Sequence, residues 1–282
     1  MTGCIFVSDL HGRIDRYRKL FGVLSTERPK AVFIGGDIMP NFGHADTRGD
    51  FLDDFLFAEL SRLRDALGEA YPRVFIVLGN DDGRAVEKSL VEAADRGLLL
   101  YMHGRKAAFG RWTIYGYCFS PPSPFMLKDW ERYDVSRYVD PGCVSPEEGW
   151  RTVAVDPDEA RFATIAQDLD ALAGSDDLEN AVVLFHAPPH ESNLDRAALD
   201  GKSFDHAPLD VHVGSIAIRR FIERTQPLLT LHGHIHESAR ITGSWRDRFG
   251  GTVALSAAHD GPELALVRFD LDDPSTATRK LL

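Results

Sequence analysis

The stretch Gly3-Cys4-Ile5-Phe6-Val7-Ser8-Asp9-Leu10-His11 decides how the chain is read. An unbroken apolar run stops at a carboxylate and an imidazole two residues apart. A run without polar alternation suits a strand covered on both faces of a sheet. The arrangement recurs. Runs over 31–37, 73–80, 181–186 and 227–236 end at Gly36-Asp37, Gly79-Asn80-Asp81, His186 and Gly233-His234-Ile235-His236. Between them lie stretches of helical spacing at 14–24, 51–67, 84–94, 157–172 and 215–224. Alternating strands and helices predict mostly parallel pairing. In such sheets ligands gather beyond the carboxyl ends of the strands, where these clusters fall.

Two stretches depart from the alternation. Residues 105–118, with Phe109-Gly110-Arg111 in the middle, read as a hairpin, and 239–256, with Gly243, Gly250 and Gly251, as another. Residues 263–271 read as a last strand. These predict a second, more antiparallel sheet region. Pro121, Pro122 and Pro124 open an irregular segment running through Pro141-Gly142 to Pro146, and a loop that long is usually functional or mobile. With no internal repeat and no linker between two cores, residues 1–282 read as one domain, long enough to bury a sizeable core.

Composition narrows the function. The net charge of −11 argues against an extended nucleic-acid surface but leaves room for a small phosphorylated substrate. Apolar runs fall far short of the ~20 residues that a membrane span needs. The first residues lack a basic region and read as a strand rather than a signal peptide. Cys4, Cys118 and Cys143 lack metal-site spacing, and Cys4 and Cys118 sit in apolar runs as small buried thiols. A reducing cytoplasm is the simplest compartment.

The clusters supply seven donors of three kinds: carboxylate, amide carbonyl and imidazole. That mixture suits Mn, Fe, Co, Ni or Zn. Seven are too many for one ion but suffice for two that share a bridging carboxylate. Paired ions about 3.5–4 Å apart recur in phosphoester hydrolysis. Each donor alone has a plainer reading: Asp9 as a helix N-cap, Asp37 as a turn residue, Asn80 as an Asx-turn, His186 as a packed core histidine. The set as a whole favours metal. His232 reads as a packed neighbour of the last pair, and Arg13 as a surface helix residue. His190 sits on a loop near the predicted mouth, where it could touch substrate or simply be solvated. His44, His103, His206, His212 and His259 have no motif behind them and read as structural.

In this order, Asp-x-His, Gly-Asp, Gly-Asn, His and Gly-His-x-His, the chain resembles the calcineurin-like metallophosphoesterase superfamily from Asp9 to His236. His186-Ala187-Pro188-Pro189, Gly116-Tyr117 with Ser120-Pro121-Pro122, and Gly233-His234-Ile235-His236-Glu237 look like its Icc-related bacterial and archaeal phosphoesterases. The resemblance implies an α/β fold, a four-layer α/β/β/α sandwich. It also implies that Asp9, His11 and His236 hold one divalent ion, Asn80, His186 and His234 a second, and Asp37 bridges them, with manganese favoured. The expected reaction is hydrolysis of phosphomonoesters or phosphodiesters by a metal-activated water. A non-catalytic metal-binding scaffold and a DNA nuclease are the alternatives within the superfamily. One position departs from the pattern. Many members carry a histidine after Gly-Asn, credited with protonating the leaving group. Here it is Asp81, followed by Asp82. Either the chain does without that acid or another group, such as His190 or a metal-bound water, supplies it.

Overall fold

The unbroken apolar runs become the inner strands of two six-stranded sheets. The computed structural model describes residues 2–40 and 50–282, so His44 lies outside the described residues. The strands are β1 (Gly3–Val7), β2 (Ala31–Gly35), β3 (Arg73–Val77), β4 (Leu100–Tyr101), β5 (Arg105–Phe109), β6 (Trp112–Tyr117) and β7 (Ala181–Phe185). A short pair, β8 (Ser203–Phe204) and β9 (Ala207–Pro208), precedes β10 (Leu229–His232), β11 (Arg246–Phe249), β12 (Thr252–Ser256), β13 (Ala265–Asp270) and β14 (Asp273–Leu281). The helices are α1 (Ile14–Glu27), α2 (Ala58–Leu67), α3 (Glu87–Asp95), α4 (Pro157–Phe162), α5 (Ile165–Ala173), α6 (Ile216–Thr225) and α7 (Ser238–Thr242).

Sheet one runs β14-β13-β1-β2-β3-β4 and sheet two β11-β12-β10-β7-β6-β5. In each, four consecutive strands are parallel: β1-β2-β3-β4 and β6-β7-β10-β12. Helices follow the parallel strands and pack as pairs, α1 on α2 and α5 on α6, while β2 and β3 face β6 and β7 across the middle. The result is the expected four-layer α/β/β/α sandwich. The side chains of β2, β7 and β12 are buried along their whole length, because these strands are covered on both faces. Phe33 and Phe75 stack in register on adjacent strands, with ring centroids 5.0 Å apart. The buried apolar side chains of both sheets form one continuous cluster.

Several expectations need correcting. Antiparallel pairing is not confined to the second sheet. It occurs at β13 and β14 on one side of sheet one and at both edges of sheet two. Helix 51–67 begins as a π-helix over Phe51–Phe57. Phe51, Leu52, Leu56 and Phe57 are its buried residues, and pairs five apart match i→i+5 winding. Stretch 157–172 is two helices, because Ile165 N–H leaves the first to bond Tyr133 O (2.7 Å) and Thr164 starts the second with a capping box. Of 239–256, the first residues belong to α7, which Gly243 ends at φ 75°, so only β11 and β12 form the hairpin. Strand β14 escapes an apolar-run reading because it is largely polar and mostly exposed at an edge. Among the described residues no helix is long and apolar enough to cross a membrane. Cys4 and Cys118 are buried free thiols.

The proline-rich segment after β6 is held firmly. Lys128 and Glu131 form an ion pair whose side chains are 0% exposed. Lys128 Nζ also donates to Ser123 O (3.0 Å), and Glu131 accepts from Ser123 N–H (2.8 Å) and from its hydroxyl. Trp130 packs against His103 and Phe119. Removing one member of a buried pair leaves an uncompensated charge, which typically costs about 3–5 kcal/mol. Glu131→Leu is therefore expected to lower unfolding stability by about that amount, and the Lys128→Met/Glu131→Leu double variant to recover most of it. Urea denaturation checks this; a single-variant loss below about 1 kcal/mol would mean that the pair does not secure the segment.

Candidate metal centre

The donors stand just beyond the strands rather than on them. Strands β1, β2, β3 and β10 end two to four residues earlier than their apolar runs suggest, at Val7, Gly35, Val77 and His232. The backbone then turns left-handed at Asp9 (φ 56°), His11 (φ 47°), Asp37 (φ 51°) and His234 (φ 75°). Side-chain alternation along a strand therefore does not aim these residues; the turns do. Such conformations cost L-residues roughly 1–2 kcal/mol each and persist where surrounding bonds over-determine them. Here the loops after β1 and β2 are laced together by Asp9 N–H to Gly36 O (3.1 Å), His11 N–H to Asp37 O (2.7 Å) and Gly12 N–H to Ile38 O (3.0 Å).

Glycines precede three of the donors because nothing larger fits. A Cβ on Gly36 would lie 2.6 Å from His186 Nδ1, and one on Gly233 would lie 2.7 Å from Asp9 Oδ2. On Gly79 it would overlap Asp37 Oδ1 and stand 2.5 Å from His186 Cε1.

The clusters converge. Asp9, His11, Asp37 and His236 each offer one donor atom within 4.8 Å of the others. The His11 and His236 Nε2 atoms face each other at 3.1 Å, and His236 Nε2 lies 3.3 Å from Asp9 Oδ1. A second set adjoins through Asp37. His186 Nε2 is 2.9 Å from Asn80 Oδ1 and 3.5 Å from Asp37 Oδ2, and the His186 and His234 ring centroids are 5.0 Å apart. All seven sequence-identified donors thus meet in one place, with Asp37 common to both sets.

Outer hydrogen bonds set which atoms face inward. His186 Nδ1–H donates to Gly35 O (2.8 Å), so Nε2 turns toward Asn80 and Asp37. The Asn80 amide nitrogen donates to Asp81 Oδ1 (3.0 Å), which directs Oδ1 inward. Nε2 therefore meets two oxygen acceptors, and only a proton or a cation reconciles the three. The donor set fits a divalent cation on that ground.

Charge follows the same logic. Burial would raise Asp9, but the hydrogen bond and charge of His236, with His186 and His11, outweigh it and hold the carboxyl well below the usual range. Asp37 behaves alike: burial pushes up, His186 and His11 pull down, and the carboxyl falls to about 2. Burial would lower the imidazoles, yet Asp37 and Asp9 carry His186 up to about 10, and Asp9 carries His236 to about 9. His234, desolvated and next to His186, drops to about 3.

Asp81 is at the site. Its Oδ2 lies 3.7 Å from His11 Nδ1, its N–H donates to Asp37 Oδ1 (2.9 Å), and its side chain is 38% exposed. Burial and the charge of Asp37 push its carboxyl up. His190 is not among the converging donors. Its ring lies 3.8 Å from Asp195 and 3.9 Å from Asp210, on the wall of a separate cavity. His232 is packed as expected: it bonds Ala187 O (2.9 Å) and Thr230 (2.8 Å), stacks on Phe185, and is lowered to about 4 by burial. Arg13 is half-exposed near Asp15.

Two residues escaped the sequence reading. Asp82 is fully buried and accepts from the N–H groups of Ile38 (3.0 Å), Met39 (2.8 Å) and Gly79 (2.9 Å), tying the Asp37 loop to the Asn80 loop. Burial and Asp37 push it up to about 7, against the pull of those amides. Arg16 donates to Asp9 O (2.6 Å) and Gly261 O (2.5 Å), pinning the first loop from behind. The doubled Asp81-Asp82 was a visible signal; nothing near Arg16 distinguishes it from a helix-surface arginine.

Comparison with known proteins agrees with the fold. The calcineurin-like phosphoesterase family profile matches residues 4–238, and the chain belongs to that family. Among solved structures it resembles TT1561 of Thermus thermophilus, with 15% identity over 99% of this chain and 98% of that one and a TM-score of 0.55. It also resembles a dimetal phosphatase from Danio rerio, with 15% identity over 94% and 91% and a TM-score of 0.52. At these identities the likeness concerns the fold. No curated protein matches the chain.

The glycine contacts predict that Gly79→Ala displaces Asp37 and His186. Bound metal per chain, measured by plasma emission after manganese loading, is expected to fall by more than half, with a stability loss of about 1–3 kcal/mol. Full metal content in this variant would show that the close approach does not matter.

Proposed function

We propose that the chain is a dinuclear metal-dependent phosphoesterase, hydrolysing phosphomonoesters or phosphodiesters of small substrates with an activated water. In this reading Asp9, His11 and His236 hold one divalent ion, Asn80, His186 and His234 hold the other, and Asp37 bridges them. The main support is the convergence of the seven residues in two sets that share Asp37. The ions, manganese by preference, would supply Lewis acidity toward the phosphoryl oxygens and lower the pKa of the attacking water.

The chain's own residues do the rest. Gly35 O orients His186, Arg16 steadies the Asp9 loop, and Asp82 fixes the Asp37 and Asn80 loops relative to each other. The neutral Asn80 limits negative charge where a phosphate must arrive. Asp81 stands beside His11 where a stronger proton donor would be useful, and an ionised carboxylate only accepts. Leaving groups that need little protonation should therefore react best. Donors spread from residue 9 to residue 236 support reading 1–282 as one domain, the acidic chain favours a small substrate over nucleic acid, and the cysteines, without a pairing pattern, suit a reducing cytoplasm.

Metal analysis with turnover of 4-nitrophenyl phosphate and bis(4-nitrophenyl) phosphate tests this reading. The wild type is expected to bind two ions and turn over at least one ester. Asp37→Ala should lose most of the metal and more than about 100-fold in rate. Metal binding without turnover of any ester would leave a scaffold instead.

Asp81→His gives a sharper test. A placed acid typically contributes on the order of 100- to 10,000-fold when the leaving group needs a proton. The alkyl-to-aryl rate ratio is therefore expected to rise by on the order of 100-fold at equal metal content. An unchanged ratio would mean that position 81 does not face the leaving group.

A further inference from the structure

Beside the metal centre lies a cavity of about 320 Å³, built by the segments that leave β6 and β7. Its lining residues come after the carboxyl ends of β6 and β7, as the donors come after the ends of their strands. Residue His186 of the centre and residue His190 of the cavity wall are four positions apart, so their Cα atoms are at most ~14 Å apart. A ligand of modest length spans such a distance.

The wall is largely apolar, with Pro121, Pro122, Tyr138, Phe204, Leu209 and Val213 prominent. Tyr138 and Phe204 are 68% and 55% exposed, unusually open for large rings. The charges on the wall are all of one sign. Asp134, Asp140 and Asp210 line it, and no Lys or Arg among the described residues does. Asp134 is occupied, accepting from Ser215 Oγ (2.5 Å), Ile216 N–H (2.7 Å) and Ala217 N–H (3.1 Å) at the start of α6. Asp210 accepts from His212 N–H (2.8 Å) and lies 3.9 Å from His190 Nε2, and burial together with the charge of Asp210 pushes the Asp140 carboxyl up. His190 and His212 complete the rim, both against the buried Asp195, which accepts from His212 Nδ1 (2.8 Å) and from the N–H groups of Glu191 and Ser192 (2.9 Å each). Such a wall repels a second phosphate and suits a positively charged group carried on an apolar body, through carboxylates and aromatic faces together.

We propose that this cavity binds the organic part of the substrate, and that this part is an apolar or aromatic group bearing an ammonium, positioned while the phosphoryl group lies at the metal centre. The proposal rests on the phosphoesterase reading for the second half of that statement only, and the test separates the two.

The manganese-loaded full chain is titrated calorimetrically with benzyltrimethylammonium and, separately, with benzenesulfonate. Two aryl phosphates of matched leaving-group acidity, one with a trimethylammoniomethyl and one with a sulfomethyl substituent, are compared in kcat/KM. The cation is expected to bind and the sulfonate not. The cationic ester should be preferred by on the order of tenfold or more. In the Asp140→Asn/Asp210→Asn double variant, cation affinity should fall by about tenfold and the ester preference should move toward one. Only two charges change, so general attraction to an acidic protein survives in the variant. Phe204→Ala should weaken the cation without admitting the sulfonate. Equal kcat/KM for the two esters, or cation affinity untouched by the double variant, overturns the proposal. Cation binding that the double variant weakens, with no turnover of any ester, upholds the cavity and overturns the phosphoesterase reading.

Discussion

Oxygen and nitrogen lone pairs repel one another, and this fold brings seven donor groups to one point. The architecture around the site answers that constraint. Parallel strands in register deliver their carboxyl ends to the same edge, so five separate loops begin side by side. Backbone amides then tie the loops: those of residues 9, 11 and 12 reach carbonyls 36–38, and those of 38, 39 and 79 reach Asp82. Left-handed turns at four donors are the local cost of aiming side chains inward at such density. Glycines supply the remaining room.

The fold was largely legible because covered parallel strands leave a plain mark. Runs such as Ile5-Phe6-Val7 and Val182-Val183-Leu184 have no polar face to hide. The edges were harder. Strand β14 alternates irregularly between Ser, Thr and Ala and buries little, so only its pairing with β13 makes it a strand. Winding was invisible as well: Phe51 to Phe57 shows three- and four-residue spacings in sequence, yet its buried residues, Phe51 with Leu56 and Leu52 with Phe57, are pairs five apart. Strand ends were overrun because Ser8, Ile38 and Leu78 remain buried past the last ladder bond, and a hydrophobic run cannot signal that the chain has turned.

At the site, which residues come together was legible and how they do so was not. Asp9, His11, Asp37, Asn80, His186, His234 and His236 could be picked by type and order, but their approach depends on turns set by tertiary bonds. Asp82 and Arg16 act entirely through backbone groups distant in sequence, and no local pattern marks such partners. For His190 a loop position was legible but its partners were not. Its position after Pro188-Pro189 suggested a place near the mouth of the centre, and its ring stands against Asp195 and Asp210 on the cavity wall. The segment 118–156 is similarly double-natured: rich in proline and without regular structure, yet anchored by a fully buried ion pair, it is a wall rather than a lid.

The strands at the rims of the two sheets bear on how copies of the chain meet. An open rim offers unpaired amide and carbonyl groups to any passing strand, the usual seed of ordered aggregates. Sheet two places Arg105 and Lys106 on its rim strand β5, and Arg246 and Arg248 on its other rim strand β11. Sheet one ends in β4, only two residues long, on one side and in β14, with Pro274 near its start and Lys280 near its end, on the other. Cationic side chains, a proline and a truncated strand are standard ways of denying a template to a neighbour. A protein that depends on many parallel pairings, which form slowly and late, has particular need of such guarded borders while it folds.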